Sequence, residues 1–165
     1  MAMDQPVPNL SEFDAGDAQL REAMELLFYA YRDFTAEPDV AMSKHAFGRA
    51  HHRVIYFVGR NPGMTVSDLL GILRITKQSL SRVLGQLVRQ GFIIQKPGST
   101  DRRQRLLSLT DKGAELERKL TEEQRALIAR AYRSAGADAV EGFRKVLLGM
   151  IEEADRRRFR PSQPR

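Results

Sequence analysis

Cysteine is absent from the 165 residues. Disulfides, thiolate catalysis, Cys-ligated zinc and thiol-based redox sensing are excluded together, and a reducing cytoplasm is the compartment this fits. Histidine is scarce: His45, His51 and His52 are the whole supply. Neighbours on a helix diverge by about 100°, so His51 and His52 cannot chelate as an i, i+4 pair does, and neither metal nor other cofactor is expected. No apolar run approaches the ~20 residues of a membrane-spanning helix. The N-terminus lacks the basic-then-apolar layout of a signal peptide. A cytoplasmic chain with no membrane partner is expected. There is no internal repeat, hence no solenoid. No Gly-rich phosphate loop, HExxH or G-x-S-x-G elbow occurs, and no nucleophile is paired with a base along the chain. An enzyme is not expected, although a hydrolase or transferase whose site forms only in space is invisible to sequence.

Acidic residues are nearly missing from one stretch. The net charge of +6 is distributed unevenly. Residues 1–40 carry −7, 41–73 carry +3, 74–105 carry +7 with Asp101 the lone acid, 106–155 carry −2, and the last ten residues carry +5 from five arginines. An anionic partner suits such a field, and the peak at 74–105 points to nucleic acid more than to general solubility.

Within that peak, Thr76–Gln90 sorts cleanly as a helix. Leu80, Val83, Leu84, Leu87 and Val88 make a stripe at three- and four-residue spacing. Gln78, Arg82, Gly85 and Arg89 lie opposite, with Ser81 and Gln86 on the shoulders. Thr76 can cap the first turn, whose free N–H groups suit a phosphate. Gln, Ser and Arg in front of an apolar back fit a DNA major groove. Taken alone, the same face fits an ordinary solvated helix; its neighbours decide.

Upstream, residues 1–16 have no periodicity and are expected to be a flexible arm. A helix opens near Asp17 with the seam Leu20, Met24, Leu27, Tyr31, Phe34, and Pro38 is expected to end it. Ser43 is expected to cap a second helix, which Asn61-Pro62-Gly63 stops. Thr65 and Asp68 form a capping box for a third, and only Arg74 and Ile75 separate that helix from Thr76. Two helices so tightly joined are a helix-turn-helix candidate. Gly91 suits a left-handed cap. Phe92–Lys96 and Arg105–Leu109 read as strands around a polar loop rich in arginine, a wing, and narrow minor grooves attract arginine. Thr110-Asp111 caps a long helix with Leu116, Leu120, Leu127 and Ile128 inward. Gly136 breaks it, and a last helix carries Val140, Phe143, Leu147 and Met150. The first and last seams can pair within one chain or interlace with a second copy; long arms around a small core favour the homodimer.

The element order over residues 17–155 resembles the MarR family of winged helix-turn-helix regulators. The resemblance rests on Leu87-Val88-Arg89-Gln90-Gly91-Phe92-Ile93, on Asp101-Arg102-Arg103 and on Leu109-Thr110-Asp111-Lys112-Gly113. It implies a mainly α fold with a small two- or three-stranded β-wing, flanked by N- and C-terminal dimerisation helices, in a bacterial regulator of transcription. The divisions expected are a dimerisation helix at 17–42, the DNA-binding domain at 43–109, dimerisation helices at 110–155 and a basic tail at 156–165, which is either a phosphate-binding arm or solvated charge.

By resemblance, the recognition-helix residues approaching double-stranded DNA are Thr76, Lys77, Gln78, Ser79, Ser81, Arg82, Gln86 and Arg89. The wing contributes Ser99, Thr100, Asp101, Arg102, Arg103 and Arg105, with Arg103 entering the minor groove and Asp101 bracing the loop, by a charge-assisted bond to arginine. Two positions depart from the family's pattern: Arg74 replaces a common glycine, and Gly85 replaces a polar side chain. The resemblance also implies a pocket for a small aromatic or anionic effector, for which His45, His52, Arg53, Tyr56 and Phe57 are candidates; packing is the competing role for those residues. The rival function is a winged-helix interaction module whose basic face meets an acidic protein.

Overall fold

The computed structural model describes residues 15–159, so the expected N-terminal arm falls almost wholly outside the described residues, as does the tail beyond Phe159. In chain order the elements are α1 (Asp17–Ser43), α2 (Arg49–Arg60), β1 (Met64–Thr65), α3 (Val66–Leu73), α4 (Lys77–Arg89), β2 (Ile93–Pro97), β3 (Arg105–Leu109), α5 (Asp111–Ala135), α6 (Ala137–Met150) and α7 (Glu153–Arg156), followed by a 3-10 turn at Arg157–Phe159. The fold is mainly helical, with one three-stranded antiparallel sheet in the order β1-β3-β2. Gln95 faces Leu107 across the wing, and Leu107 also faces Met64. Leu107 is therefore enclosed on both edges and has no exposure.

A single core lies under the reading unit. Val54, Ile55 and Val58 of α2, Leu69 of α3, and Leu80, Val83, Leu84 and Leu87 of α4 meet Phe92, Ile93, Leu107, Leu116 and Leu120. Each such side chain contributes about 1.5–3 kcal/mol by leaving water. Gly113 lets α5 pass the wing: a Cβ there would stand 2.0 Å from the carbonyl oxygen of Phe92, which no other residue permits. The caps at Thr65, Thr76 and Thr110 form as expected, each threonine hydroxyl accepting from the backbone N–H three residues on. Gly91 is left-handed, with φ of 77°.

Two expectations fail at the start of the chain. Pro38 does not end α1, which runs through it to Ser43. A proline within a helix leaves the carbonyl four residues earlier without its donor. Here that carbonyl belongs to Phe34, and the buried Gln124 of α5 donates its Nε2–H to it at 3.2 Å. The tertiary contact replaces the missing bond. Consequently Ser43 closes α1, its hydroxyl donating back to the carbonyl of Val40 at 2.7 Å, and caps nothing. The second helix starts later, with Gly48 as its N-cap.

The arms differ from the core. α1 packs on α5 and α2, and α6 packs on the end of α5. No residue of α6 is buried. Leu20, Met24, Leu27 and Tyr31 of the first seam, with Leu26 and Phe28 beside them, and Phe143 and Met150 of the last all remain exposed, Met24 at 70%. Leu127 is half-buried and Ile128 is exposed, against the expectation that both face inward.

Candidate nucleic-acid interface

The α4 stripe is buried, so the helix can present only its other side. Lys77, Gln78, Ser81, Arg82 and Arg89 are exposed there, as is the capping Thr76. Ser79 is half-buried; its N–H donates to the Thr76 hydroxyl at 3.1 Å, and that hydroxyl donates to the Ser79 Oγ at 2.9 Å. Both side chains are thus partly committed to the cap. Gly85 has a neighbour that explains part of its tolerance: Arg89 folds back, placing Nη1 3.2 Å from where a Cβ would stand.

Gln86 departs from the expected outward role. It is half-buried, and its Oε1 lies 2.6 Å from Nε2 of His51. The Gly48 N–H donates to Nδ1 of the same ring at 3.1 Å. With Nδ1 accepting, the neutral ring carries its proton on Nε2 and donates to Gln86. Phe47 stacks on that imidazole at 4.5 Å between ring centroids. His51, assigned no role in the sequence, therefore holds the middle of α4 through one amide. Nothing local in the sequence marks it, because its partner is 35 residues away.

Lys112 is a second residue that sequence reasoning left without a role of its own. Its Nζ donates to the Gln90 carbonyl at 2.8 Å and lies 4.3 Å from the Phe92 ring centre, and the Thr110 hydroxyl donates to the Gly91 carbonyl. A cation at the C-terminal end of α4 satisfies carbonyls the helix leaves open and complements its dipole.

In the wing, Ser99, Thr100, Asp101, Arg102, Arg103 and Arg105 are all exposed. Asp101 does brace the loop, but through the backbone: its Oδ1 accepts from the Arg103 N–H at 2.9 Å rather than from a guanidinium. The Gln104 N–H donates to the Asp101 carbonyl, and the Gly98 N–H to the Gln104 carbonyl. A Cβ on Gly98 would fall 2.6 Å from that Asp101 oxygen, so the loop needs glycine there. This closure leaves the Arg102 and Arg103 side chains to project from a compact tip.

A cavity of about 280 Å³ opens between α1, α2 and α5. Of the expected lining, His52, Arg53, Tyr56 and Phe57 are present. His45 is not; its ring packs edge-on against Phe92 at 5.2 Å. Arg49 of α2 joins them, and Tyr31, Phe34, Thr35, Thr121, Gln124, Arg125 and Ile128 complete the wall, residues of α1 and α5 that no local pattern links to α2. Arg49 is paired with Asp39 at 2.9 Å, and Arg53 donates to the Tyr31 hydroxyl at 2.8 Å. Burial holds the His52 imidazolium below its ordinary value; Asp39 pulls the other way, Arg53 adds a smaller lowering and Glu117 a still smaller raising. The wall thus combines aromatic surface with three guanidinium groups and a predominantly neutral imidazole.

Comparison with known proteins gives one consistent picture. The model of the MarR family matches residues 47–104. The chain is 51% identical over 143 residues to the HTH-type transcriptional regulator PetP of Rhodobacter capsulatus, covering 87% of this chain and 86% of that protein. Among solved structures, FabT of Streptococcus pneumoniae in complex with DNA superposes with a TM-score of 0.69 at 21% identity, covering 79% of this chain and 94% of FabT. The MarR family transcription regulator SP03579 superposes at 0.68 with 20% identity, over 81% of this chain and 88% of its own. These structural likenesses speak to the fold.

Proposed function

The chain belongs to the MarR family and is a DNA-binding transcriptional regulator; on that premise we propose that it acts as a homodimer on a two-fold symmetric DNA site, with α4 in the major groove and the wing tip in the minor groove. The observation that carries this reading is the pairing of two cationic surfaces over one closed core. Lys77, Gln78, Ser81 and Arg82 stand on the open side of α4, and Arg102, Arg103 and Arg105 on the wing. No carboxylate shares the α4 face, and the one in the wing is occupied by backbone. Gln86 keeps its amide donors free for DNA, while its oxygen is engaged by His51. The second copy is supported by the uncovered apolar seams of α1 and α6. Two recognition helices would then address half-sites about one DNA turn, ~34 Å, apart.

A small aromatic acid is the effector that the α1–α2–α5 cavity fits. Tyr56 and Phe57 offer ring surface, and Arg125 has no carboxylate within salt-bridge distance among the described residues. Such a ligand would act by favouring one spacing of the two reading units.

Selection of bound sequences from a random duplex pool tests the main reading. A two-fold symmetric consensus is expected, with affinity falling steeply as salt rises because phosphate neutralisation releases counterions. Failure to enrich any duplex at low salt would transfer the basic face to the rival role, docking an acidic protein.

A further inference from the structure

Arg74 occupies the turn between α3 and α4 in the left-handed region, with φ of 51° and ψ of 39°. Glycine adopts that conformation freely, whereas an arginine is retained there only when its surroundings enforce it. What surrounds it is distant in sequence. Nη1 and Nη2 donate to the two carboxylate oxygens of Glu152 at 2.8 Å each, and Nη2 also donates to Asp155 at 3.0 Å. The planar fork matches a carboxylate in a way that neither glycine nor lysine can.

The acidic partners are themselves anchored. Arg156 donates from Nε to the Ile151 carbonyl at 2.9 Å and from Nη2 to the Gly149 carbonyl at 3.2 Å, folding the segment onto the end of α6. Arg144 of α6 donates to the Phe159 carbonyl at 3.1 Å. The segment after α6 is therefore fastened to α6 on one side and to the helix-turn-helix on the other.

We propose that Arg74, Glu152 and Asp155 form a clasp that fixes the orientation of the α3–α4 reading unit relative to α6, making Arg74 a positioning residue for the recognition helix. Covalently the reading unit reaches α6 only through the wing and α5; the clasp closes a second, non-covalent route. Resting on the homodimer reading, it also couples the α6 seam to the separation of the two recognition helices. The clasp is half-exposed, so it weakens as salt screens it.

The absence of cysteine makes the test direct. Spin labels are placed at Gln78→Cys on α4 and Glu141→Cys on α6, both exposed, and the full chain is diluted into unlabelled protein so that only distances within one chain are read. The intact clasp gives a narrow distribution. Arg74→Gly, which keeps the turn unstrained, and the pair Glu152→Gln with Asp155→Asn should each give a roughly twofold wider one, as released hinges do. Raising salt to about 1 M, where the screening length is about 3 Å, should widen the parent toward the variants and leave the variants unchanged. Arg74→Lys, with charge but no fork, should fall between. Widths unchanged in both clasp-breaking variants, or changed only in Arg74→Gly, would overturn the proposal, the latter because it would reduce the effect to the turn itself. A singly labelled, undiluted chain reads the distance between copies; no dipolar signal there would remove the homodimer reading while leaving the clasp result intact.

Discussion

The reading unit and the helical arms obey opposite rules. In the reading unit, α2, α3, α4 and the wing bury their apolar residues against one another, and Val54, Ile55, Leu69, Leu80, Leu87 and Leu107 have no exposure at all. In the arms, Met24, Phe28, Phe143, Val146 and Met150 remain half or more uncovered or nearly so, at 70, 64, 48, 62 and 60%. Both regions have helical apolar periodicity, so amphipathicity alone does not say whether a stripe is satisfied within the chain. What separates them is connectivity. The reading unit's elements follow one another through short turns, which keeps partners close. The arms lie at the two ends of the chain and pack on α5 rather than broadly on each other. A contiguous apolar face of this kind marks an association surface.

The strongest way to break the contrast is to damage each region in its own manner. Leu80→Ala should lower unfolding free energy by about 2–5 kcal/mol, the range for a fully buried leucine, measured by urea denaturation at fixed protein concentration. Phe143→Glu combined with Met24→Glu should instead leave helical content intact while abolishing self-association in sedimentation velocity, because those side chains contact water in the single chain. If the arm variants unfolded the protein as Leu80→Ala does, the two regions would be one cooperative unit.

The contrast sharpens on the DNA side. Arg82→Ala should weaken binding to the selected site roughly tenfold or more and relax preference at one position. Arg103→Ala should weaken binding too, while leaving the major-groove preference in place. Binding arrays across single-base variants of the site separate the two; an Arg82→Ala profile identical to the parent would remove α4 as the reader.

How far the sequence could be read follows the same division. Local signals were legible: the caps at Thr65, Thr76 and Thr110, the turn at Asn61-Pro62-Gly63, the left-handed Gly91 and the Arg105–Leu109 strand all depend on residues a few positions apart. The failures share a cause. Pro38 interrupts a helix on local grounds, yet Gln124, 90 residues away, supplies the missing donor. Gln86 stands on the shoulder of α4 and is assigned to DNA by resemblance, yet His51 engages its oxygen. His45 lies close in sequence to the residues that line the cavity, yet after it the chain turns at Ala46 and its ring packs on Phe92. Side-chain bonds across long separations carry no periodic trace.

That explanation has its own test, of smaller size. Gln124→Leu should cost about 1 kcal/mol, the low end for leaving a partly accessible carbonyl unsatisfied. Pro38→Ala restores a backbone N–H that can reach the Phe34 carbonyl, so the double variant should recover most of the loss. A double-mutant cycle by chemical denaturation measures this coupling. Additive effects would show that α1 passes Pro38 for some other reason.

The smallest effect concerns the seam between the two regions, where His52 lines the cavity that α1, α2 and α5 enclose. Burial lowers the folded-state value of its imidazolium below the ordinary 6.5. In the window beneath that ordinary value the unfolded chain binds the proton more readily than the folded one. Stability therefore rises with pH through the window: it is complete above about pH 6.5 and declines as pH falls from there through the folded value. His52→Asn, which cannot titrate, should flatten the slope relative to the parent in urea midpoints collected from pH 5 to 8. The histidines at 45 and 51 are common to both proteins, so the difference between the two profiles isolates position 52. An aromatic carboxylate bound in that cavity would favour the His52 imidazolium and raise its folded-state value back toward the ordinary one, so the parent's profile should flatten toward that of the His52→Asn variant.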